Sequence, residues 1–426
     1  MKKVLIIAYY WPPAGGPGVQ RWLKFVTYLR EFNIEPIVYI PENPNYPIID
    51  NGLLDEVPEG IQVLKHPIFE PYAMAEKLSG KSSKTISKGI IPPEGEQSFI
   101  QKILLTIRGN LFIPDARKFW VKSSVFFLEK IISEQKINTI ITTGPPHSLH
   151  LIGEKLKEKL NLRWLADFRD PWTSIGYHKK LRLFNWASKK HIKLERQVLN
   201  SADQIIVTSK STKAEFSGIT DKPIEIITNG FEPKEVNNLK LDEKFTLAHI
   251  GSLLSERNPE SLWQAISEII NENELFKKHF ELKLAGVVSD SVLESIKSYN
   301  LENYLNFLGY ISHNEAIKLQ RSSQILLLIE IDSPDTKMII PGKLFEYLQT
   351  KRPILAIGPE NADFADILKE TETGNFFKYH ETDRIKSQLI TYFKAYLNQS
   401  LKVIPKKIDQ YTRRSLTEKL AKLLYN

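Results

Sequence analysis

The sequence predicts an α/β protein of two parallel-sheet domains, and three observations carry that expectation. Short, nearly continuous apolar runs alternate with stretches of helical periodicity along the chain, as buried parallel strands joined by crossover helices require. The rhythm runs through once, stops at a polar stretch rich in Asn, Lys and Glu, and starts again. The length of 426 residues accommodates two such domains at a prior of about 150 residues each.

Val4–Ala8, Ile34–Ile40, Thr139–Thr143, Arg163–Asp167, Gln204–Thr208 and Ile224–Thr228 read as strands of the first domain, with helical patterns at Val19–Phe32 and Ser148–Leu160. Beyond Glu232–Glu243 a second set follows: Thr246–Ile250, Glu281–Ala285, Tyr304–Phe307, Ile325–Ile329 and Pro353–Ile357. The expected organisation is a Rossmann-like domain over residues 1–231, a linker over 232–243, a second Rossmann-like domain over 244–390, and terminal helices over 391–426. The last helix, Tyr411–Tyr425, carries Leu416, Leu420, Leu423 and Leu424 as an apolar stripe, and is expected to pack back toward the first domain. Two such domains face a central cleft, and ligands bind beyond the carboxyl ends of their strands.

Hydrophobic residues make up 42% and charged residues 25%, an ordinary globular composition. The chain has no cysteine, which excludes disulfides and thiolate metal sites. The apolar start Val4–Ile7 ends at Tyr9-Tyr10-Trp11-Pro12-Pro13, too short for a signal peptide, and no stretch approaches the ~20 residues that span a bilayer. A cytoplasmic protein, soluble or peripheral on the inner membrane face, is the expectation. The net charge of +8 points to an anionic ligand or an anionic membrane surface; no nucleic-acid module is evident. Tyr72–Pro93, rich in Lys, Ser and Gly, is expected to be mobile. Gln97–Phe112 reads as an amphipathic helix with Lys102 and Arg108 on its flank: either a helix packed on its own domain or a surface that meets lipid.

Chemistry is sought at the strand ends. After the first strand come Gly15, Gly16 and Gly18, then Arg21; glycines let backbone approach a ligand closely, though the third glycine of a dinucleotide fingerprint is missing. Gly144-Pro145-Pro146-His147-Ser148 follows another strand, and His147 is a candidate base or hydrogen-bond donor to a phosphate. Asp167-Phe168-Arg169-Asp170-Pro171-Trp172 closes a further strand. Its acids and Arg169 are either an ion-pair network that shapes the loop or an acceptor-binding group. In the second domain His249-Ile250-Gly251-Ser252 ends the first strand, with Arg257 beyond it as a diphosphate clamp. Gly309-Tyr310 forms another strand-end loop. In Pro341-Gly342-Lys343-Leu344-Phe345-Glu346 the proline suits a first helical turn. Free N–H groups at Gly342, Lys343 and Leu344 suit phosphate, and Glu346 suits ribose hydroxyls. No Asp-x-Asp pair occurs, so basic side chains rather than a metal ion are the expected counter-charge.

Taken together, these motifs resemble the family 4 glycosyltransferases of the GT-B fold, retaining and mostly metal-independent. The resemblance rests on the glycine loop, Gly144–Ser148, Ala166–Trp172, Ile227-Thr-Asn-Gly-Phe231, His249–Ser252 and Pro341–Tyr347, in that order. It implies that Gly15 and Gly16 lie near the donor phosphates and the acceptor, and that Arg257 holds the diphosphate. It implies that Glu346 is the second glutamate of the Glu-x7-Glu motif, on the ribose, and that His147 lies near the transferred sugar. The donor site would comprise Gly15, Gly16, Gly251, Ser252, Gly309, Tyr310, Pro341, Gly342, Lys343, Leu344 and Glu346. Arg21, Asp167, Arg169 and Asp170 would lie on the acceptor side. The implied co-substrate is a nucleotide-diphosphate sugar, with no further cofactor, and the acceptor a glycan or lipid-linked glycan, with polysaccharide biosynthesis as the setting. Two positions depart from the pattern. Met338 stands where the first motif glutamate falls, and Ser252 where relatives often carry arginine. A sugar-nucleotide epimerase of the same fold and a catalytically degenerate nucleotide-sugar-binding subunit are the alternatives.

Overall fold

The computed structural model describes residues 1–70, 98–233 and 239–425. The Tyr72–Pro93 stretch and residues 234–238 of the expected linker lie outside the described residues. The chain divides into two compact units, one of Met1–Asn229 with Arg413–Asn426, the other of Gly230–Thr412.

The first unit runs β1 (Lys2–Ile7), α1 (Pro17–Leu29), β2 (Ile34–Glu42), β3 (Gln62–Pro67), α2 (Phe99–Leu111), α3 (Lys118–Gln135), β4 (Thr139–Gly144), α4 (Ser148–Leu160), β5 (Arg163–Phe168), α5 (Gly176–Lys179), α6 (Asn185–Ser201), β6 (Gln204–Val207), α7 (Lys210–Ser217) and β7 (Ile224–Ile226). Its seven strands pair in parallel in the order β3-β2-β1-β4-β5-β6-β7. Side chains alternate faces along a strand. Leu5 and Ile7 therefore enter one core layer with Trp120, Trp164 and Phe168. Val4 and Ile6 enter the other with Trp22, Leu23 and Val26 of α1.

The second unit holds β8 (Phe245–Ile250), α8 (Glu260–Glu272), α9 (Glu274–His279), β9 (Phe280–Ala285), α10 (Asp290–Ser298), β10 (Leu305–Gly309), α11 (His313–Ser322), β11 (Ile325–Ile329), α12 (Gly342–Leu348), β12 (Ile354–Gly358), α13 (Asp363–Thr371), β13 (Gly374–Lys378) and α14 (Thr382–Leu397). Its six parallel strands are ordered β10-β9-β8-β11-β12-β13. Ile325, Leu327 and Ile329 pack on one face with Trp263 and Phe280; Leu326 and Leu328 pack on the other with Phe345 and Tyr347. The final helix, α15 (Arg413–Tyr425), belongs to the first unit, where Leu416, Leu420 and Leu424 pack with Val19, Trp22 and Leu23.

Each sheet reverses its strand order once, between β1 and β4 and between β8 and β11. In a doubly wound sheet the crevice at such a point receives ligands. The two glycine-bearing loops of the first unit follow β1 and β4. In the second unit, Gly251 follows β8, and β11 runs directly into Glu330.

Candidate functional site

In the second unit the reversal point gathers charge. Arg257, in the turn Ser255–Arg257, donates to the Glu330 carboxylate at 2.9 Å. Glu330 is buried at the end of β11 and also accepts from the Ile331 N–H at 2.9 Å. Tyr379 donates to its carbonyl at 3.0 Å. Lys343, in α12, reaches under Gly251. A Cβ at Gly251 would stand 2.7 Å from the Lys343 ammonium, and its φ of 129° is one that side-chain-bearing residues rarely adopt. Glycine at 251 is thus required both by conformation and by the lysine beneath it.

The Lys343 ammonium lies 3.3 Å from His249 Nε2. His249 Nδ1 lies 3.1 Å from the Leu327 carbonyl, which can only accept. The ring proton therefore sits on Nδ1, and Nε2 accepts from the lysine. Burial, then the positive charge of Lys343, holds His249 well below the usual histidine range, so it is neutral. Burial and the neighbouring Arg257 pull the Lys343 ammonium down to about 8, against the opposing pull of Glu330 and Glu346. The arrangement holds two cations and one buried acid at the carboxyl end of the sheet, and a dianion there relieves the repulsion between the cations.

The other sequence-derived residues of this unit divide. Gly342 and Lys343 open α12 after Pro341, and no side chain caps that end. Leu344, expected to offer its N–H, does not: the N–H closes on the Pro341 carbonyl at 3.0 Å and the side chain is in the core, because it is already one turn in. Glu346 is half-buried and accepts from the Gln320 amide at 2.8 Å. Met338 is buried. Ser252 is exposed beside Gly251. Gly309 takes a φ of 62°, and Tyr310 after it is 89% exposed, an open ring.

In the first unit a pocket of about 220 Å³ lies beside the β4 loop, lined by Tyr10, Arg108, Arg117, His147, Trp172 and Tyr177 among others. His147 stacks on Trp172, centroids 5.0 Å apart and planes within 3°. Both its ring nitrogens are buried without a hydrogen-bond partner among the described residues. Burial, reinforced by His150 and His178, keeps it neutral. A neutral imidazole offers one donor and one acceptor, which is what a sugar hydroxyl takes. Arg117 lies over the Tyr9 ring at 4.6 Å and pairs with Glu70 at 3.1 Å. Tyr9 donates to Glu70 at 2.6 Å.

Arg21 and Asp167, which the resemblance puts on the acceptor side, are buried and paired with each other at 3.1 Å. Asp167 also accepts from Trp22 Nε1 at 2.9 Å and the Thr143 hydroxyl at 2.8 Å, and Arg21 donates to the Thr228 carbonyl. They tie α1 to β4, β5 and the chain beyond β7 rather than face a ligand. Arg169 donates to the Gly144 and Pro145 carbonyls and lies over the Tyr10 ring. A Cβ at Gly18 would stand 1.6 Å from its guanidinium, so Gly18 is small because Arg169 passes there. Burial pushes the half-buried Asp170 carboxyl up. Gly16 precedes α1 with a φ of 110°, and a Cβ on Gly15 would stand 2.9 Å from Ile48.

Several residues escaped the sequence reading. Glu330 looks in sequence like any acid that ends a strand; only the fold brings it to Arg257, 73 positions away. Glu195 accepts from the N–H groups of Trp172 and Thr173, and Trp172 Nε1 donates to His191 at 3.1 Å. Among the described residues no group of three or more His, Cys, Asp or Glu is placed to hold a metal ion. No helix among them is long and apolar enough to cross a membrane.

No protein-family model matches the chain, and no curated protein matches it in sequence. Solved structures do match in shape. A glycosyltransferase from Rickettsia africae aligns at 12% identity and a TM-score of 0.63, over 99% of this chain and 97% of that one. HepE of Anabaena, in complex with UDP, aligns at 12% identity and a TM-score of 0.62 over all of both chains. The sucrose-phosphate synthase of Thermosynechococcus elongatus aligns at 12% identity and a TM-score of 0.60, over 100% and 98%. With two parallel Rossmann-like sheets and full-length likeness to such structures, the chain has the GT-B fold.

Proposed function

We propose that this chain is a retaining, metal-independent glycosyltransferase that moves a sugar from a nucleotide-diphosphate donor to a glycan or lipid-linked glycan, on the cytoplasmic face of the membrane. The observation that carries the reading is the pair Arg257 and Lys343 at the β8/β11 reversal, with the Lys343 ammonium against Gly251. An arginine fork and a lysine point charge suit the two phosphates of a diphosphate. Glu346, oriented by Gln320, suits ribose hydroxyls rather than phosphate. The likeness to HepE, whose structure holds UDP, supports UDP-sugars as the first donors to test.

The chemistry proposed is front-face substitution. The sugar–oxygen bond breaks, negative charge collects on the leaving diphosphate oxygen, and that oxygen takes the acceptor proton as the new bond forms on the same face. Arg257 and Lys343 stabilise the developing charge, the kind of preorganised electrostatics that lowers barriers most. His147, neutral at the pocket of the first unit, serves as a hydrogen-bond partner rather than an acid.

The test is a turnover screen of the full chain against UDP-, GDP-, ADP-, dTDP- and CMP-sugars in EDTA, with anomeric configuration followed by NMR. Release of nucleotide with an anomer matching the donor is the expected result. Inversion removes the retaining assignment. Epimerised donor without transfer favours the epimerase. Tight binding without turnover favours the binding subunit, to which the buried Met338 in place of a glutamate would then be the clue.

A further inference from the structure

We propose that the face formed by α2, the start of α3 and residues 176–193 docks on an anionic phospholipid bilayer, so that the pocket beside it receives the headgroup end of a lipid-linked acceptor. The word acceptor rests on the glycosyltransferase reading; the docking surface does not.

The first observation is that α2 is apolar on two sides. Leu105 is buried with Leu181, and Leu104, Tyr177 and Leu183 pack around them. Gly109 lets that segment close in, since a Cβ there would stand 2.6 Å from Leu183. This side accounts for the helix's place in the fold. Phe99, Ile103, Ile107 and Leu111 recur every fourth residue on another side, and all are exposed, Phe99 at 78%. A helix of a soluble domain needs only the first stripe. The second continues onto neighbouring elements. Phe119 and Phe126, one face of α3, are exposed, as are Phe184 and Trp186 at the start of α6.

These exposed groups are held together. The Asn110 side chain donates to the Arg182 carbonyl at 2.8 Å and accepts from the Phe184 N–H at 2.7 Å, joining α2 to the approach to α6. The Lys118 ammonium lies over the rings of Phe112 and Phe119, at 5.7 and 5.1 Å, joining α2 to α3. A fixed apolar patch of this extent marks an interaction surface.

Charge selects the partner. Residues 98–127 contain five Lys and Arg and one acid, Asp115; residues 176–193 contain six Lys and Arg and none. These two segments hold eleven bases and one acid, a net +10, while the whole chain carries +8. Glu70 outside them is paired with Arg117; counting it, the segments still carry +9 against −1 for everything else, so the basic excess of the chain lies in these segments. Aromatic and aliphatic groups among lysines are the composition of a surface that enters the headgroup layer of an anionic leaflet. A second copy of the chain is disfavoured, because the same excess of positive charge would meet itself.

The pocket ties the surface to chemistry. Arg108 of α2 and Tyr177 and Leu181 of the 176–193 segment line it together with Tyr10, His147 and Trp172. A bilayer seated on the face brings headgroups to the pocket's rim.

The test is sedimentation of the full chain with vesicles of phosphatidylglycerol and phosphatidylcholine, against phosphatidylcholine alone, at low and high salt. UDP binding and the melting temperature are measured in parallel. The wild-type chain is expected to sediment with anionic vesicles at least tenfold better than with neutral ones, and to be partly released by high salt. The triple variant Ile103→Glu, Ile107→Glu, Trp186→Glu and the double variant Lys118→Glu, Lys190→Glu should each lose at least tenfold in vesicle binding. Their melting temperature and UDP binding should be those of wild type. No vesicle binding by wild type, or equal binding by the variants, overturns the proposal while leaving any nucleotide binding in place. Salt-reversible vesicle binding by a chain that binds no nucleotide leaves this surface standing and removes the glycosyltransferase reading. A dimer in velocity sedimentation that the triple variant abolishes makes the patch a subunit interface and overturns it.

Discussion

Acidification should destabilise the first unit through its buried histidines. His150 and His178 both lie in that unit. Burial, then the Arg169 charge, holds His150 down to about 3; burial, then His191, holds His178 down to about 4. In the unfolded chain each titrates near 6.5. Because the folded values are depressed, the unfolded chain binds protons first as pH falls. Stability is therefore whole above about pH 7.5, and is lost as pH falls through 6.5 toward the folded values. At pH 5 each histidine costs about 2 kcal/mol relative to pH 8, about 4 kcal/mol together, at 1.36 kcal/mol per pH unit. For a unit of this size that lowers the melting temperature by on the order of 10 °C. Glu154 and Glu195, pushed up by burial, act in the opposite sense, so a substitution must isolate the histidine contribution. Calorimetry at pH 8 and pH 5 on wild type and His150→Gln does so. The variant's pH penalty should be smaller by about 2 kcal/mol. Equal penalties, or a His150 resonance titrating near 6.5 in the folded protein, would refute the reasoning.

Lys343, free at about 8, should take up a proton when a diphosphate binds above that pH. Affinity for UDP should then fall about tenfold from pH 7 to pH 9; calorimetry in two buffers of different ionisation heat reads the uptake, and a flat profile contradicts it. Asp167→Ala leaves the buried Arg21 guanidinium without its carboxylate and should cost about 3–5 kcal/mol, read as a lowered denaturant midpoint of the first unit. Gly286→Ala should destabilise the second unit by at least about 1–3 kcal/mol, because φ is 121° and the new Cβ would stand 2.5 Å from the Gly251 carbonyl oxygen; a wild-type midpoint would show that the loop yields.

Every inner strand was legible; of the four edge strands, β7 and β10 were read and β3 and β13 were not. Ile325–Ile329 is five apolar residues, all buried on both faces of its sheet, and such a run announces itself. β3 and β13, at the outer ends of their sheets, are half-exposed and mix polar with apolar residues in Gln62–Pro67 and Gly374–Lys378. Nothing in either stretch separates it from a loop. Gly251 was legible because a glycine closing an apolar run signals close approach of backbone. Its physical reason, the ammonium of Lys343 lying beneath it, was not, since the two are 92 positions apart. The stacked His147 and Trp172 likewise come from separate loops that only the pairing of β4 with β5 sets side by side.

The central claim is that Arg257 and Lys343 hold a nucleotide diphosphate. Calorimetric titration of the full chain with UDP and GDP in EDTA tests it most directly, alongside Lys343→Met and Arg257→Ala. At least one nucleotide should bind in EDTA, and each variant should lose about tenfold or more, as removal of a charge-assisted contact of about 1.5–3 kcal/mol gives. Binding that appears only when Mg²⁺ is added, or that both variants retain at wild-type strength, would contradict it.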